Sequence, residues 1–177
     1  NTYALMTSIN PARLKVQTAE LGELVGQADQ FTSQLHELLA FYSSRIRQTS
    51  LSKIPLTLQS YQAPDPVIQA LESEIEERVI GDPELGFRLA DALWKEFWVE
   101  FRQLAVHILG TMPVDDPDRT PNRIRSWLDD CTSESIRRLI MTEGMARLAS
   151  EKPDQSLALI GELISSGKRN DHQAALF

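Results

Sequence analysis

The sequence repeats a pattern of paired amphipathic helices about every 35 residues. A shift of the chain by 70 residues places Leu93 on Leu163, and a shift of 35 residues places Arg102 on Arg137. One helix pair cannot cover its own apolar face, so neighbouring pairs must stack to bury it. The repeat therefore predicts an all-α fold, a HEAT-like α-α superhelix of stacked antiparallel helix pairs. Chance similarity among unrelated amphipathic helices is the alternative interpretation.

Local signals predict where the helices lie. Apolar residues recur at three- and four-residue steps over 18–48, although Gly22 and Gly26 would also fit two helices in this stretch. Asp-Pro dipeptides at 65–66 and 82–83 predict two helix starts, because Asp caps a helix and Pro suits its first turn. Further helices are expected over 98–111, 122–130, 133–150 and 154–166, and from residue 171 onward.

The helices are expected to form one continuous domain with a single apolar core. Residues 1–50 are interpreted as an N-terminal helical segment and residues 51–177 as the HEAT-like repeats. The sequence stops inside an apolar helical pattern, so we expect the last repeat to be truncated. Six leucines are predicted to be buried: Leu93, Leu104, Leu128, Leu139, Leu159 and Leu163.

Composition argues against nucleic-acid binding, disulfide bonds and membrane association. The net charge of −7 opposes binding to nucleic acid unless the cations gather on one face. The single cysteine, Cys131, excludes an internal disulfide and fits a reducing, cytoplasmic location. The longest apolar runs fall short of the roughly 20 residues that span a bilayer, so we expect no membrane association.

The chain carries no recognisable motif for a cofactor or a metal. His36, His107 and His172 are scattered, and none stands at a metal-ligand spacing from another ligand residue. Phosphate-binding loops, dinucleotide fingerprints and nucleophile elbows are absent from the sequence. We therefore predict no metal and no cofactor, and the residues by themselves make no independent case for an enzyme.

Residues 82–110 carry a more specific pattern. One predicted helix ends in Leu93-Trp94, and the next opens with Glu100 and Arg102 before an apolar run. This pattern resembles the DNA alkylation repair family of HEAT-like (ARM-type) repeat proteins, and the similarity extends diffusely over about residues 50–177. The resemblance implies a superhelix whose concave face holds double-stranded DNA. Some members of that family excise alkylated purines, so the resemblance also implies this activity as an expectation.

The resemblance also implies which residues would contact a ligand. The family uses an acid close after a tryptophan, which makes Asp130 the candidate catalytic residue here, with Asp129 as a substitute. The family places that acid four residues after its Trp, where this chain has Cys131, and the Arg expected after the last repeat is missing. We therefore predict that glycosylase activity is absent. The candidate ligand-binding residues are Trp98, Arg102, Trp127, Arg123 and Arg137.

Each candidate also has a structural interpretation. The tryptophans could fill seams between helices, Arg102 could tie adjacent repeats, and the arginines could pair with acids such as Asp115, Asp116 and Asp129. Three functions therefore stay open: a binding module resembling DNA alkylation repair proteins without glycosylase activity, an active glycosylase for alkylated purines, or a protein–protein scaffold. The expected partner is double-stranded DNA or another protein.

Overall fold

The computed structural model describes residues 9–43 and 58–174, with side chains up to residue 167. Within these residues the fold is all helical, as predicted, and the one β feature is an isolated bridge between Gln59 and Trp98. None of the described helices is both long and apolar enough to cross a membrane. The helices are α1 (Pro11–Gly22), α2 (Ala28–Tyr42), α3 (Asp65–Val79), α4 (Pro83–Trp94), α5 (Val99–Thr111), α6 (Arg119–Asp130), α7 (Glu134–Leu139), a π-helical turn (Ile140–Gly144), α8 (Ala146–Glu151) and α9 (Pro153–Ala174).

Polar side chains start several of the helices. Asn10 Oδ1 accepts hydrogen bonds from the first backbone N–H groups of α1, and Asp82 Oδ1 accepts one from the backbone N–H of Leu85 at the start of α4. Pro83 then occupies the first position of α4, as the Asp-Pro signal predicted. The helix expected over 18–48 is divided, because the chain turns between Gly22 and Ala28 and separates α1 from α2; residues 44–48 of that prediction lie outside the described residues.

Two boundaries near the C-terminus differ from the prediction. The expected helix over 133–150 is interrupted by the π-helical turn, which separates α7 from α8. The expected break between residues 166 and 171 is absent, because α9 continues through Gly167. A glycine inside a helix costs only about 1 kcal/mol relative to alanine, so it weakens a helix without ending it.

Helices that are two apart in the chain lie against one another. The helix α3 packs against both α1 and α5, and α5 in turn packs against α7. The helix α2 packs against α4, and side chains of α4 reach α6. The helix α5 is enclosed by α3, α4, α7, α8 and the π-helical turn, so its buried residues cover most of its circumference, and one face with Gln103, His107 and Gly110 is only partly buried. The core is therefore centred on α5.

One apolar cluster extends from Leu14 in α1 to Leu159 in α9. Of the six predicted core leucines, Leu93, Leu104, Leu128 and Leu159 are buried. The other two, Leu139 and Leu163, are only partly buried, so the prediction was wrong for them.

The two exceptions have local causes. Ile136 and Ile140, one turn apart, take the buried face of α7 and the π-helical turn, and this leaves Leu139 at the edge. Leu163 lies on α9, whose contacts within the described chain are mainly with α8. Ile164, next to it, is 55% exposed, whereas Trp94, its counterpart one 70-residue shift earlier, is buried.

Glu100 ties the segment before α3 to α5. Its Oε1 accepts hydrogen bonds from Ser60 Oγ at 2.8 Å and from the backbone N–H of Ala63 at 3.3 Å. The neighbouring bridge adds a bond from the Val99 N–H to the carbonyl of Gln59 at 2.8 Å. Glu100 is only 3% exposed, so its carboxylate serves the fold rather than the surface.

Candidate functional site

Two stacked tryptophans join α4 to α6. The rings of Trp94 and Trp127 lie nearly parallel, at 4°, with their centroids 4.5 Å apart. Trp94 is the last residue of α4, and Trp127 lies one turn before Asp130 on α6. Both tryptophans are buried, so each ring supplies the other with a packing surface.

Arg102 and Asp130 complete this group, which we call the Trp94 cluster (Trp94, Arg102, Trp127 and Asp130). The guanidinium of Arg102 lies 4.3 Å from the ring centroid of Trp94. Arg102 Nη2 donates to Asp130 Oδ2 at 3.3 Å, and Trp94 Nε1 donates to the same oxygen at 3.1 Å. The side chain of Arg102 is 3% exposed and that of Asp130 is 56% exposed. The cluster is therefore a buried cation that holds a half-exposed carboxylate.

Arg102 also stabilises the turn between α4 and α5. Its Nε donates to the backbone carbonyl of Glu96 at 3.3 Å, and its guanidinium lies 5.3 Å from the ring centroid of Phe97. Phe97 itself is 61% exposed. The cluster thus presents one exposed aromatic ring and one exposed carboxylate beside a fully packed arginine.

Trp98 does not join the Trp94 cluster. It stacks on Tyr61, with ring centroids 4.1 Å apart and an interplanar angle of 13°, and His36 lies edge-on to it at 5.6 Å. The hydroxyl of Tyr61 is 2.8 Å from His36 Nδ1. Partial burial, followed by the charges of Glu100 and Glu96, raises the pKa of Tyr61 above its ordinary value. Trp98 therefore belongs to a separate aromatic group between α2 and α5.

The remaining candidate arginines contact the protein itself. Arg123 makes a forked ion pair with Asp91, with Nε 3.0 Å and Nη2 2.8 Å from its two oxygens. Arg137 Nη1 donates to the carbonyls of Leu128 at 2.6 Å and Cys131 at 3.2 Å, which covers the C-terminal end of α6. These contacts match the structural interpretation of both residues.

Neighbouring arginines are engaged in the same way. Arg119 pairs with Glu84 at 2.6 Å, and Arg125 makes a forked pair with Glu162 at 2.9 Å through both nitrogens. The partners of these arginines lie on other helices, 32 residues away for Arg123 and 37 for Arg125. These arginines therefore pair with acids distant in the sequence rather than with the expected Asp115, Asp116 and Asp129.

A group that the sequence analysis missed surrounds His107 on α5. We call it the His107 cluster: Glu72 and Glu76 on α3, His107, and Glu143 on the π-helical turn. His107 Nδ1 lies 2.8 Å from Glu143 Oε1, and His107 Nε2 lies 3.2 Å from Glu76 Oε2. One ligand atom from each of Glu72, His107 and Glu143 can be chosen so that all three lie within 4.8 Å of one another.

Burial and charge shift the pKa values in this cluster. Burial alone would lower the pKa of His107, but the hydrogen bond to Glu143 and the charge of Glu72 raise it above the ordinary value. Burial raises the pKa of Glu72, although His107 opposes that shift. The available sequence signal was the repeat itself, since Glu72 and Glu143 stand 35 and 36 residues from His107.

No protein-family model, no curated protein and no solved structure matches this chain.

Proposed function

We propose that this chain is a HEAT-like helical-repeat binding module, related in fold to DNA alkylation repair proteins, whose ligand is a protein and which does not excise bases. The proposal has three parts, namely the repeat architecture, the absence of base excision and the kind of ligand. Each part is supported by a different set of contacts.

Long-range polar contacts support the repeat architecture. Trp94 reaches Asp130 across 36 residues, Arg125 reaches Glu162 across 37, and the backbone N–H of Val114 reaches Glu151 across 37. These separations match the 35-residue period of the sequence. A stacked array of helix pairs produces such contacts because each unit touches mainly its neighbours.

The state of Asp130 argues against base excision. Breaking an N-glycosidic bond develops positive charge on the sugar, which an anionic side chain must face at close range. Asp130 Oδ2 already accepts hydrogen bonds from Arg102 and Trp94. The positive charge of Arg102 offsets the negative charge of the carboxylate. Trp94 and Trp127 stack on one another, so each already covers one ring face of the other. This mutual satisfaction within the Trp94 cluster is the observation that carries the proposal.

The pairing of the arginines favours a protein ligand over DNA. Affinity for DNA comes largely from Lys and Arg side chains that neutralise phosphates and release counterions. Here Arg119, Arg123 and Arg125 are each paired with a carboxylate of another helix. The exposed Phe97 ring, close to the Arg102 guanidinium, instead offers an apolar contact. A protein segment with an apolar side chain complements that surface.

Two assays on the full chain test the proposal. We expect no release of 3-methyladenine or 7-methylguanine from alkylated DNA. For fluorescence anisotropy with alkylated and unmodified duplexes, we expect a Kd in the non-specific range of about 10⁻⁶–10⁻⁴ M at physiological salt. Base release that Asp130→Asn abolishes would establish the glycosylase alternative. Nanomolar binding to duplex DNA without base release would instead show that the ligand is DNA.

A further inference from the structure

The His107 cluster is built from side chains of three different elements. Glu72 and Glu76 are four residues apart on α3 and therefore share one face of that helix. His107 comes from α5 and Glu143 from the π-helical turn. The backbones of these last two elements approach very closely, because a Cβ on Gly110 of α5 would collide with the carbonyl oxygen of Glu143. The glycine one turn after His107 thus allows Glu143 to reach the imidazole.

Negative charge exceeds positive charge in this cluster. Three carboxylates surround one imidazole, so two negative charges remain even when the imidazole is protonated. The charges that act on Glu72 and His107 come from within the cluster, with no lysine or arginine among them. Glu72 is also half-buried, and the two imidazole nitrogens face Glu143 and Glu76 rather than Glu72. The charges of Glu143 and Glu76 repel that of Glu72, and a bound cation would relieve this repulsion.

We infer that the His107 cluster is a divalent transition-metal site, with Glu72, Glu143 and one nitrogen of His107 as ligands. Glu76 then hydrogen-bonds the second imidazole nitrogen and fixes the orientation of the ring, which is the usual role of a carboxylate behind a metal-bound histidine. The three ligand atoms already lie within 4.8 Å of one another, so small side-chain movements suffice to converge on an ion.

The ligand set selects the class of metal. Mg²⁺ and Ca²⁺ prefer oxygen ligands, whereas an imidazole nitrogen suits Zn²⁺ and its neighbours in the first transition row. Three protein ligands with an open fourth position are compatible with tetrahedral Zn²⁺. The ion would join α3, α5 and the π-helical turn, three elements that already pack around the centre of the core. Binding should therefore stabilise the folded chain.

Calorimetry on the full chain tests this inference. After treatment with EDTA and dialysis, the protein is titrated with ZnCl₂ and with MgCl₂, and thermal melting is measured with and without each ion. We expect a single Zn²⁺ per chain, a higher Tm in its presence, and no comparable effect of Mg²⁺. Substituting Co²⁺ should give the visible absorption of a tetrahedral nitrogen–oxygen site.

Matched variants locate the ion. Glu72→Gln and His107→Gln should each weaken Zn²⁺ binding by at least about 10-fold. His36→Gln is the control, because His36 also contacts a carboxylate, that of Glu96, but lies outside the cluster. If His107→Gln fails to fold, Glu72→Gln decides the question. The inference is overturned if the wild-type chain binds no stoichiometric Zn²⁺, or if Glu72→Gln binds it as tightly as His36→Gln does.

Discussion

Arg102→Ala should destabilise the protein far more than the loss of a surface arginine would. The side chain of Arg102 is 3% exposed and joins the turn after α4 to α6. Its removal eliminates a charge-assisted hydrogen bond to the Glu96 carbonyl and a cation–π contact with Trp94. It also leaves a void against the buried ring of Trp94. The indole N–H of Trp94 then remains as the described donor to Asp130.

The contacts of Arg102 give the expected magnitude. A hydrogen bond from a charged donor contributes about 1.5–3 kcal/mol, and a desolvated cation–π contact contributes about 1–2 kcal/mol. The ion pair adds little because the side chain of Asp130 is 56% exposed and solvent screens it. We expect a loss of about 2.5–5 kcal/mol in the free energy of unfolding. For a chain of this length that corresponds to a fall of roughly 5–20 °C in Tm.

Thermal and urea denaturation followed by far-ultraviolet circular dichroism measure this loss. Arg125→Ala is the matched control, because Arg125 also pairs with a carboxylate of another helix, in a forked ion pair on the surface of the protein. Exposed pairs contribute about 0–1 kcal/mol, so the control should melt close to the wild type. Arg102→Lys should fall between the two, since it retains the charge and loses the planar fork. Equal stability of Arg102→Ala and Arg125→Ala would refute the structural role of Arg102.

Two further variants probe the backbone and an aromatic group. Gly110→Ala should lower the free energy of unfolding by about 1–3 kcal/mol, because its methyl group meets the Glu143 carbonyl. Gly161→Ala in α9, where a methyl group meets nothing, should be neutral or stabilising by up to about 1 kcal/mol, and equal melting of the two variants would contradict this. In a spectrophotometric titration Tyr61 should ionise above the ordinary tyrosine range, because burial and the charges of Glu100 and Glu96 raise its pKa. The stability due to its neutral phenol is present below the unfolded pKa and is lost as pH rises through the folded pKa; a Tyr61→Phe variant that keeps the highest-pH transition would contradict the assignment.

The parts of the fold that local chemistry determines could be predicted from the sequence. Asp82 and Pro83 give the start of α4 directly, since a side-chain cap and a preset φ act within one turn. The apolar run after Arg102 correctly indicated buried leucine at position 104. The predicted break between residues 166 and 171 was wrong, because Gly167 weakens a helix without ending it.

The π-helical turn was missed for a different reason. Residues 133–150 have the three- and four-residue periodicity of a continuous α-helix, and one widened turn does not alter that pattern enough to be seen. In the structure Ile140 is buried, whereas the predicted Leu139 is only partly buried. Periodicity alone therefore does not predict which residues of such a segment are buried.

The candidate sites were the hardest part to predict, because their members meet across repeats rather than within a motif. Metal-binding motifs bring together ligand residues that are close in the sequence, and His107 has no such neighbour. Its partners Glu72 and Glu143 lie one period before and one period after it. Similar separations in sequence, of 36 and 37 residues, connect Trp94 with Asp130 and Arg125 with Glu162.

Polar residues about one period apart in the sequence meet in the structure. In a stack of helix pairs, the nearest side chains on the next helix layer belong to positions about one period away, whatever their immediate neighbours in the sequence are. Polar residues that recur at the repeat period therefore form columns across the stack. A column of opposite charges, such as Arg125 and Glu162, neutralises itself and stabilises the array. The column of Glu72, His107 and Glu143 cannot do so, because its carboxylates outnumber its one basic group. A column that cannot neutralise itself is where an external cation is most favourable, which explains why the metal site should lie at His107 rather than among the paired arginines.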